Sequence, residues 1–176
     1  MSQQIQPVST SDSQDATVSG AAVHSTDDEI RTHEAIDHTI SGEPVWLAQG
    51  KARLRWWALD SMRADDSGLV HGGFVFSLAD HAAMLAVNHP NVVLGASDCR
   101  FLAPVAVGET LEAVASLARV DGKKHHVDVT VRRADLLEES VDGGTEAAGE
   151  EVFRGSFTCF VPPRHVLADA VEATAQ

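Results

Sequence analysis

Cysteine is scarce in this 176-residue chain: only Cys99 and Cys159 occur, and neither stands at metal-ligand spacing from a second ligand. Both fall in strand-like runs and read as free thiols packed in a core. Lysine is rarer still for a charged residue, present only at 51, 123 and 124, and the formal net charge is −13. An acidic surface of that kind argues against nucleic acid as a partner. It also suits a protein that stays soluble in a salty cytoplasm. No basic segment leads into an apolar run near the start, so a secretory signal is not expected. No apolar run is free of polar groups over the length a membrane span needs. No Gly-x-Ser-x-Gly occurs, which removes support for a serine hydrolase of that type. The expectation is a soluble cytoplasmic protein with no membrane association and no internal repeat.

What the chain does have is one concentrated apolar segment. Between Val70 and Val87 only His71, Ser77, Asp80 and His81 are neither apolar nor glycine. A helix apolar nearly all round belongs inside a fold. A lone carboxylate at Asp80 is costly there unless something compensates. Asn88-His89-Pro90-Asn91 supplies the stop. Four strand-like runs follow, at about 92–102, 109–120, 124–134 and 151–161, with Asp121-Gly122 as a hairpin turn between the second and third. Upstream, alternation over about 48–59 gives one more strand. Thr26-Asp27-Asp28-Glu29 looks like a capped helix start, and that helix is expected to reach about Thr39. Residues 1–26 are rich in Ser, Gln, Thr, Ala and Val, without Phe, Trp, Tyr, Lys or Arg, and read as a disordered tail. The domain is expected over 27–162, with a tail at 163–176 in which 164–174 could form a short helix. The acidic stretch 141–146 reads as a loop. The class is α+β: five antiparallel strands around a long central helix.

The spacing inside the apolar segment carries a chemical constraint. The first turn of a helix has unpaired N–H groups and a positive dipole, so Gly72 is placed to bind a carbonyl or an anion. Asp80 can serve as nucleophile or general base. Eight residues of helix separate the two by about 12 Å, too far for one reacting carbonyl. They can cooperate only if two antiparallel helices from two chains face each other, as in a two-fold dimer. The residues alone leave the other reading open, in which Gly72-Gly73 makes a tight turn and Asp80 is a satisfied polar residue.

His71-Gly72-Gly73-Phe74-Val75-Phe76-Ser77-Leu78-Ala79-Asp80, with Ala82-Ala83 and Asn88, resembles the hotdog-fold acyl-CoA thioesterases of the phenylacetyl-CoA thioesterase (PaaI) type. Phe101-Leu102-Ala103-Pro104, Gly108-Glu109-Thr110-Leu111, Asp121-Gly122-Lys123 and Phe153-Arg154-Gly155 extend the resemblance over about residues 45–162. The resemblance implies a curved sheet wrapped round the helix, a dimer with one continuous sheet, and often a dimer of dimers. It implies hydrolysis of an acyl-CoA thioester, aromatic ones included, to coenzyme A and a carboxylate, with no metal or other cofactor. Gly72 would then donate its N–H to the thioester carbonyl, with Gly73 beside it, and Asp80 of the other chain would attack or activate water. His71 would fix the turn and reach the site. Three positions depart from the family pattern. Asp65 stands where relatives often carry Asn, and an ionised carboxylate donates no N–H. Leu94 and Met84 stand where some relatives carry a hydroxyl. Ser97 is the candidate to replace them in holding water.

Lys123 and Lys124 are candidates for the phosphates of coenzyme A, against the simpler reading of solvated turn residues. His125 and His126 alternate across a strand and suggest no metal site. His81 reads as a packed histidine, and Trp46, Trp56 and Trp57 as packing residues. Two other functions remain compatible with the sequence: a hotdog module that binds acyl-CoA without cleaving it, and an acyl-thioester hydratase or dehydratase that would use a His–acid pair. If the acidic composition is an adaptation to salt, molar KCl should raise the thermal midpoint over that in dilute buffer; an unchanged midpoint would reject it.

Overall fold

The computed structural model describes residues 28–134 and 149–168. Thr26 and Asp27 of the expected helix start, the 141–146 loop and most of the 164–174 helix lie outside those residues. The chain runs through a short helix α1 (His38–Ser41), strands β1 (Glu43–Ala48) and β2 (Lys51–Trp57), and the long helix α2 (Gly72–Val87). It continues with β3 (Val93–Phe101), β4 (Thr110–Asp121), β5 (Lys124–Arg133) and β6 (Glu151–Phe160). The strands form one antiparallel sheet in the order β1-β2-β4-β5-β6-β3. There are six strands rather than the five expected. The strand expected over 48–59 is β2, which begins after a turn at Gln49-Gly50 where Gly50 takes φ +76°; the residues before that turn, 43–48, form the unexpected strand β1 and pair back on it. Pro44 within β1 hides that strand from sequence patterning; it is tolerated because β1 is an edge.

Alternation explains the core. Ala52, Leu54 and Trp56 of β2, Leu111, Ala113 and Ala115 of β4, Val127, Val129 and Val131 of β5, and Phe153 and Phe157 of β6 all face α2 and are buried. From α2 itself Val75, Leu78, Ala79, Ala82, Met84 and Leu85 are buried against them. The small residues of α2 let it sit close to the sheet, and the sheet curls to cover it.

The second correction concerns the start of the domain. The helix expected from Thr26 to about Thr39 is absent from the described part, where only His38–Ser41 is helical. His33 takes φ +53°, which no helix accommodates. Asn88 supplies the competing force. It ends α2 in the left-handed conformation, φ 47° and ψ 47°, with its N–H donating to the Met84 carbonyl at 2.9 Å. Its side chain then donates to the Glu29 carbonyl at 2.8 Å and accepts from the Arg31 N–H at 2.9 Å. The leading segment is thereby tied across the end of α2, and a local helix preference of tenths of a kcal/mol per residue loses to these bonds. His81 lies beneath that segment, 2% exposed, stacked on His38 with ring centroids 5.8 Å apart and bonded through Nδ1 to the Ser41 carbonyl at 3.1 Å. It is a packed histidine, as expected.

Asn88→Gly should keep the left-handed helix end but lose the clamp on residues 29–31, costing about 1–3 kcal/mol of stability. Denaturant titration measures it; a variant as stable as the parent would show that the clamp contributes nothing.

Candidate active site

The turn before α2 is built by the backbone. The His71 N–H donates to the Met62 carbonyl at 3.1 Å and the Val70 N–H to the Val105 carbonyl at 2.8 Å, which fixes where the helix begins. His71 is the cap: its Nδ1 accepts from the Gly73 N–H at 3.0 Å, and its ring stands edge-on to Phe74. Gly73, one of the expected binding residues, therefore has its N–H occupied. Gly72 does not. Among the described residues its N–H has no acceptor, so it is the free donor at the positive end of a 16-residue helix. A side chain there would be crowded, because a Cβ on Gly72 would lie 3.0 Å from Cε1 of Phe101, whose ring would have to give by a few tenths of an ångström. Beside Gly72 opens an apolar hollow of about 350 Å³, lined by Leu69, Val75, Phe101, Leu102, Pro104 and Val152 among others. Phe101 and Leu102 are 55% and 46% exposed, unusual for such residues in one place.

Asp80 lies two turns further along α2 and does not line that hollow. Its Oδ1 is buried without a hydrogen-bond partner among the described residues. Burial raises its pKa from the usual carboxylate range to about 6. Ser77, one turn earlier, makes no hydrogen bond to it among the described residues; the Ser77 hydroxyl is bonded to that of Ser41 at 2.8 Å. The Cys159 thiol nearby is pushed up to about 12, first by burial and then by the Asp80 charge. A half-buried carboxylate with one buried oxygen left unsatisfied departs from the usual rule for interiors and marks a candidate chemical site.

The other expected residues are placed as follows. Asp65 is exposed, and its Oδ1 accepts from the Ser67 N–H at 2.9 Å and the Leu69 N–H at 3.3 Å, closing the loop that delivers Leu69 to the hollow. An Asn could accept those same two bonds, so the exchange to Asp keeps the turn and removes only the amide donor. Ser97 is exposed on β3, opposite Phe157 on the helix side of the sheet. Leu94 packs against the core, beside an irregularity in β3, and Met84 is fully buried. Met84 therefore faces the core, where a hydroxyl would need a partner. Lys123 and Lys124 follow the Gly122 turn, with Lys124 Nζ 5.6 Å from the centre of the Phe160 ring. Phe160 pairs with Val93, at the end of β3 opposite to Phe101 and Gly72. Within one chain the lysines and Gly72 are thus at opposite ends of the sheet. The hollow around Phe101 and Leu102 was not singled out by residue type; the Phe-Leu-Ala-Pro run was its only trace.

A family model described as "Thioesterase superfamily" matches residues 67–140, a span that contains α2, β3, β4 and β5. The structure is similar to that of an uncharacterized protein from Pyrococcus horikoshii, with a TM-score of 0.70 and 44% identity, covering 80% of this chain and 97% of the other. The chain belongs to the thioesterase superfamily. Its fold is the hotdog, shared with the PaaI protein of the Escherichia coli phenylacetic acid degradation operon (TM-score 0.61, 20% identity, 76% and 88% of the two chains). It is also shared with a Streptococcus mutans protein solved with bound acetyl-CoA (TM-score 0.60, 23% identity, 76% and 97%). The chain spans only part of the curated relatives it matches. It covers 22% of the methylthioribose-1-phosphate isomerase of Aquifex aeolicus, at 52% identity over 56% of this chain. It covers 52% of the transcription factor FapR of a Thermoanaerobacter strain, at 29% identity over 67% of this chain. Among the described residues no helix is long and apolar enough to cross a membrane.

The raised pKa of Asp80 has a stability consequence. A carboxyl whose folded pKa lies above its unfolded value opposes folding once it ionises, so the penalty is absent below about pH 4 and complete above about pH 6. Asp80→Asn should therefore stabilise the protein at pH 7, by about 2–3 kcal/mol, with the gain vanishing near pH 4. Thermal unfolding of both proteins across that range tests it; an Asn variant less stable at pH 7 would mean the carboxylate has a partner that compensates it.

Proposed function

We propose that this protein is an acyl-CoA thioesterase acting as a two-fold dimer, with each site shared by two chains. The observation that carries the reading is the pairing of opposites on one helix, among the described residues: an unpartnered N–H at Gly72, opening on an apolar hollow, and a half-buried carboxylate at Asp80 whose Oδ1 is buried without a partner. They lie about 12 Å apart along α2, so neither can complete a reaction with the other in the same chain. Membership of the thioesterase superfamily, and a hotdog neighbour with bound acetyl-CoA, support a thioester as the substrate. On this reading the acyl chain occupies the hollow beside Phe101 and Leu102. The Gly72 N–H polarises the thioester carbonyl. The partner's Asp80 takes a proton from water as the hydroxide adds to the carbonyl carbon, its pKa of about 6 making it a stronger base than an ordinary carboxylate. The tetrahedral oxyanion is held at the helix N-terminus. Collapse breaks the C–S bond, and the departing thiolate recovers the proton. His71 acts through Gly73, by holding the first turn in place. Lys123 and Lys124 remain proposed phosphate contacts, Ser97 a proposed water contact and Asp65 a proposed substrate contact.

A second reading is a non-catalytic acyl-CoA-binding module. It draws on the likeness to a transcription factor over 119 residues, and on Leu94 and Met84 where some thioesterases carry a hydroxyl. Thiol release from a panel of aromatic, short-chain and long-chain CoA esters separates the two. Turnover should be present in the parent and fall at least a thousandfold in Asp80→Ala. Tight CoA-ester binding without thiol release favours the module, and undiminished turnover in Asp80→Ala would remove Asp80 from the mechanism.

A further inference from the structure

From Gly72 to its end at Asn88, α2 has four polar side chains: Ser77, Asp80, His81 and Asn88. Three of them are served by one stretch of chain. The Ser77 hydroxyl is bonded to that of Ser41, His81 Nδ1 donates to the Ser41 carbonyl, and the Asn88 amide holds Glu29 and Arg31. Positions 77, 81 and 88 are four and seven residues apart, so they form one stripe along the helix. Residues 29–42 lie along that stripe as a strap. The strap joins no strand and has a single turn of helix. It is fastened to the sheet by Trp56, whose Nε1 donates to the Thr39 carbonyl at 3.0 Å. Under it sits a cluster of three histidines that the proposed reaction does not use. His38 stacks on His81 from above, with the rings 29° apart, and the His33 centroid lies 6.3 Å from that of His81. His33 holds a left-handed backbone, φ +53°, with its Nδ1 bonded to the Thr32 hydroxyl at 2.8 Å.

We infer that residues 29–42 are a pH-sensitive strap, closed on α2 at neutral pH and lifted as His81 takes up a proton. The site suits a neutral ring and opposes a charged one. A carbonyl only accepts, so the bond to Ser41 is made by the Nδ1–H that neutral imidazole already carries. A second proton would bring a charge into an enclosed place whose nearest titratable neighbours are two more imidazoles. The strap's own charges, Glu29, Arg31, Glu34 and Asp37, are exposed, and Asp37 is engaged by Thr39. On α2 the one carboxylate is Asp80. The strand faces turned toward α2 bring the thiols of Cys99 and Cys159, His125, and Arg133, which is paired with Glu109 and Glu150. Burial lowers the pKa of His81 from 6.5 to about 4; charge on His38 and His33 adds to this and the Ser41 bond opposes it. Burial lowers that of His33 as well. Lifting the strap returns His81 to water and to its ordinary pKa. Because the closed-state value is the lower one, the closed strap is fully favoured above pH 6.5 and loses ground as pH falls toward 4. Between pH 8 and pH 5 the opening constant rises about thirtyfold.

Hydrogen exchange on the full-length chain, followed by mass spectrometry at pH 8 and pH 5 and expressed as protection factors, reads the strap directly. Protection of amides in 29–42 should fall about thirtyfold while that of β4 and β5 is unchanged. Tryptophan fluorescence should shift over the same range as Trp56 loses its Thr39 partner. His81→Gln keeps a donor for the Ser41 carbonyl but takes up no proton, and should abolish the response. Should that variant not fold, His38→Gln, at an exposed position, removes one opposing charge and should cut the response by about half. Asp80 titrates in an overlapping range, so Asp80→Asn is the control and should leave the response in place. Four results overturn the inference: a strap equally protected at both pH values, loosening of the whole chain at once, a full response in both histidine variants, or a response abolished by Asp80→Asn.

Discussion

Everything in this fold depends on covering one helix. α2 is apolar on all sides along most of its length, so a flat sheet packed on one face would leave half of it in water. The curled six-stranded sheet covers much of it, and the segment before β1, tied down by Asn88 and resting on His81, covers part of the rest. Small side chains at Ala79, Ala82, Ala83 and Ala86 let sheet and helix approach. Apolar burial of this kind, at about 25 cal/mol per Å², is the main force that holds such a domain together.

Into that dry arrangement the chain places two polar groups that gain little from folding. Among the described residues the Gly72 N–H has no acceptor, because a helix cannot satisfy its own first turn. Among them too Asp80 has a buried oxygen with no donor, and burial raises its pKa. Such a group lowers stability and is retained where it acts. The exposed Phe101 and Leu102 beside Gly72 repeat the pattern: apolar surface left uncovered by the single chain at the place where a ligand or a second chain would cover it.

Much of this was legible in the residues. The limits of α2 and of β3 to β6 follow from apolar patterning, Asn88 and the Asp121-Gly122 turn, and fall within one or two residues of those expected. β1 was missed because Pro44 and a bulge near Trp46 break its alternation. The expected leading helix failed for a different reason. Its capping signal was local, whereas the bonds that decide the segment come from Asn88, more than fifty residues later. At the site, residue type singled out Gly72 and Asp80, but not that His71 occupies the Gly73 N–H or that Asp65 closes a turn.

By itself the sequence determined the helix, the order of the main strands and the eight-residue gap between donor and acid, because these depend on period, chirality and rise per residue. Only the tertiary structure decided which groups are left unpartnered. Whether a carboxylate is desolvated, an N–H free or a strand an edge depends on what other parts of the chain bring against it. Asp98 and Arg100 show this most plainly: in sequence they are two ordinary surface charges. It is their place on an edge of the sheet, opposite Ser156 and Arg154 and without a side-chain partner among the described residues, that distinguishes them.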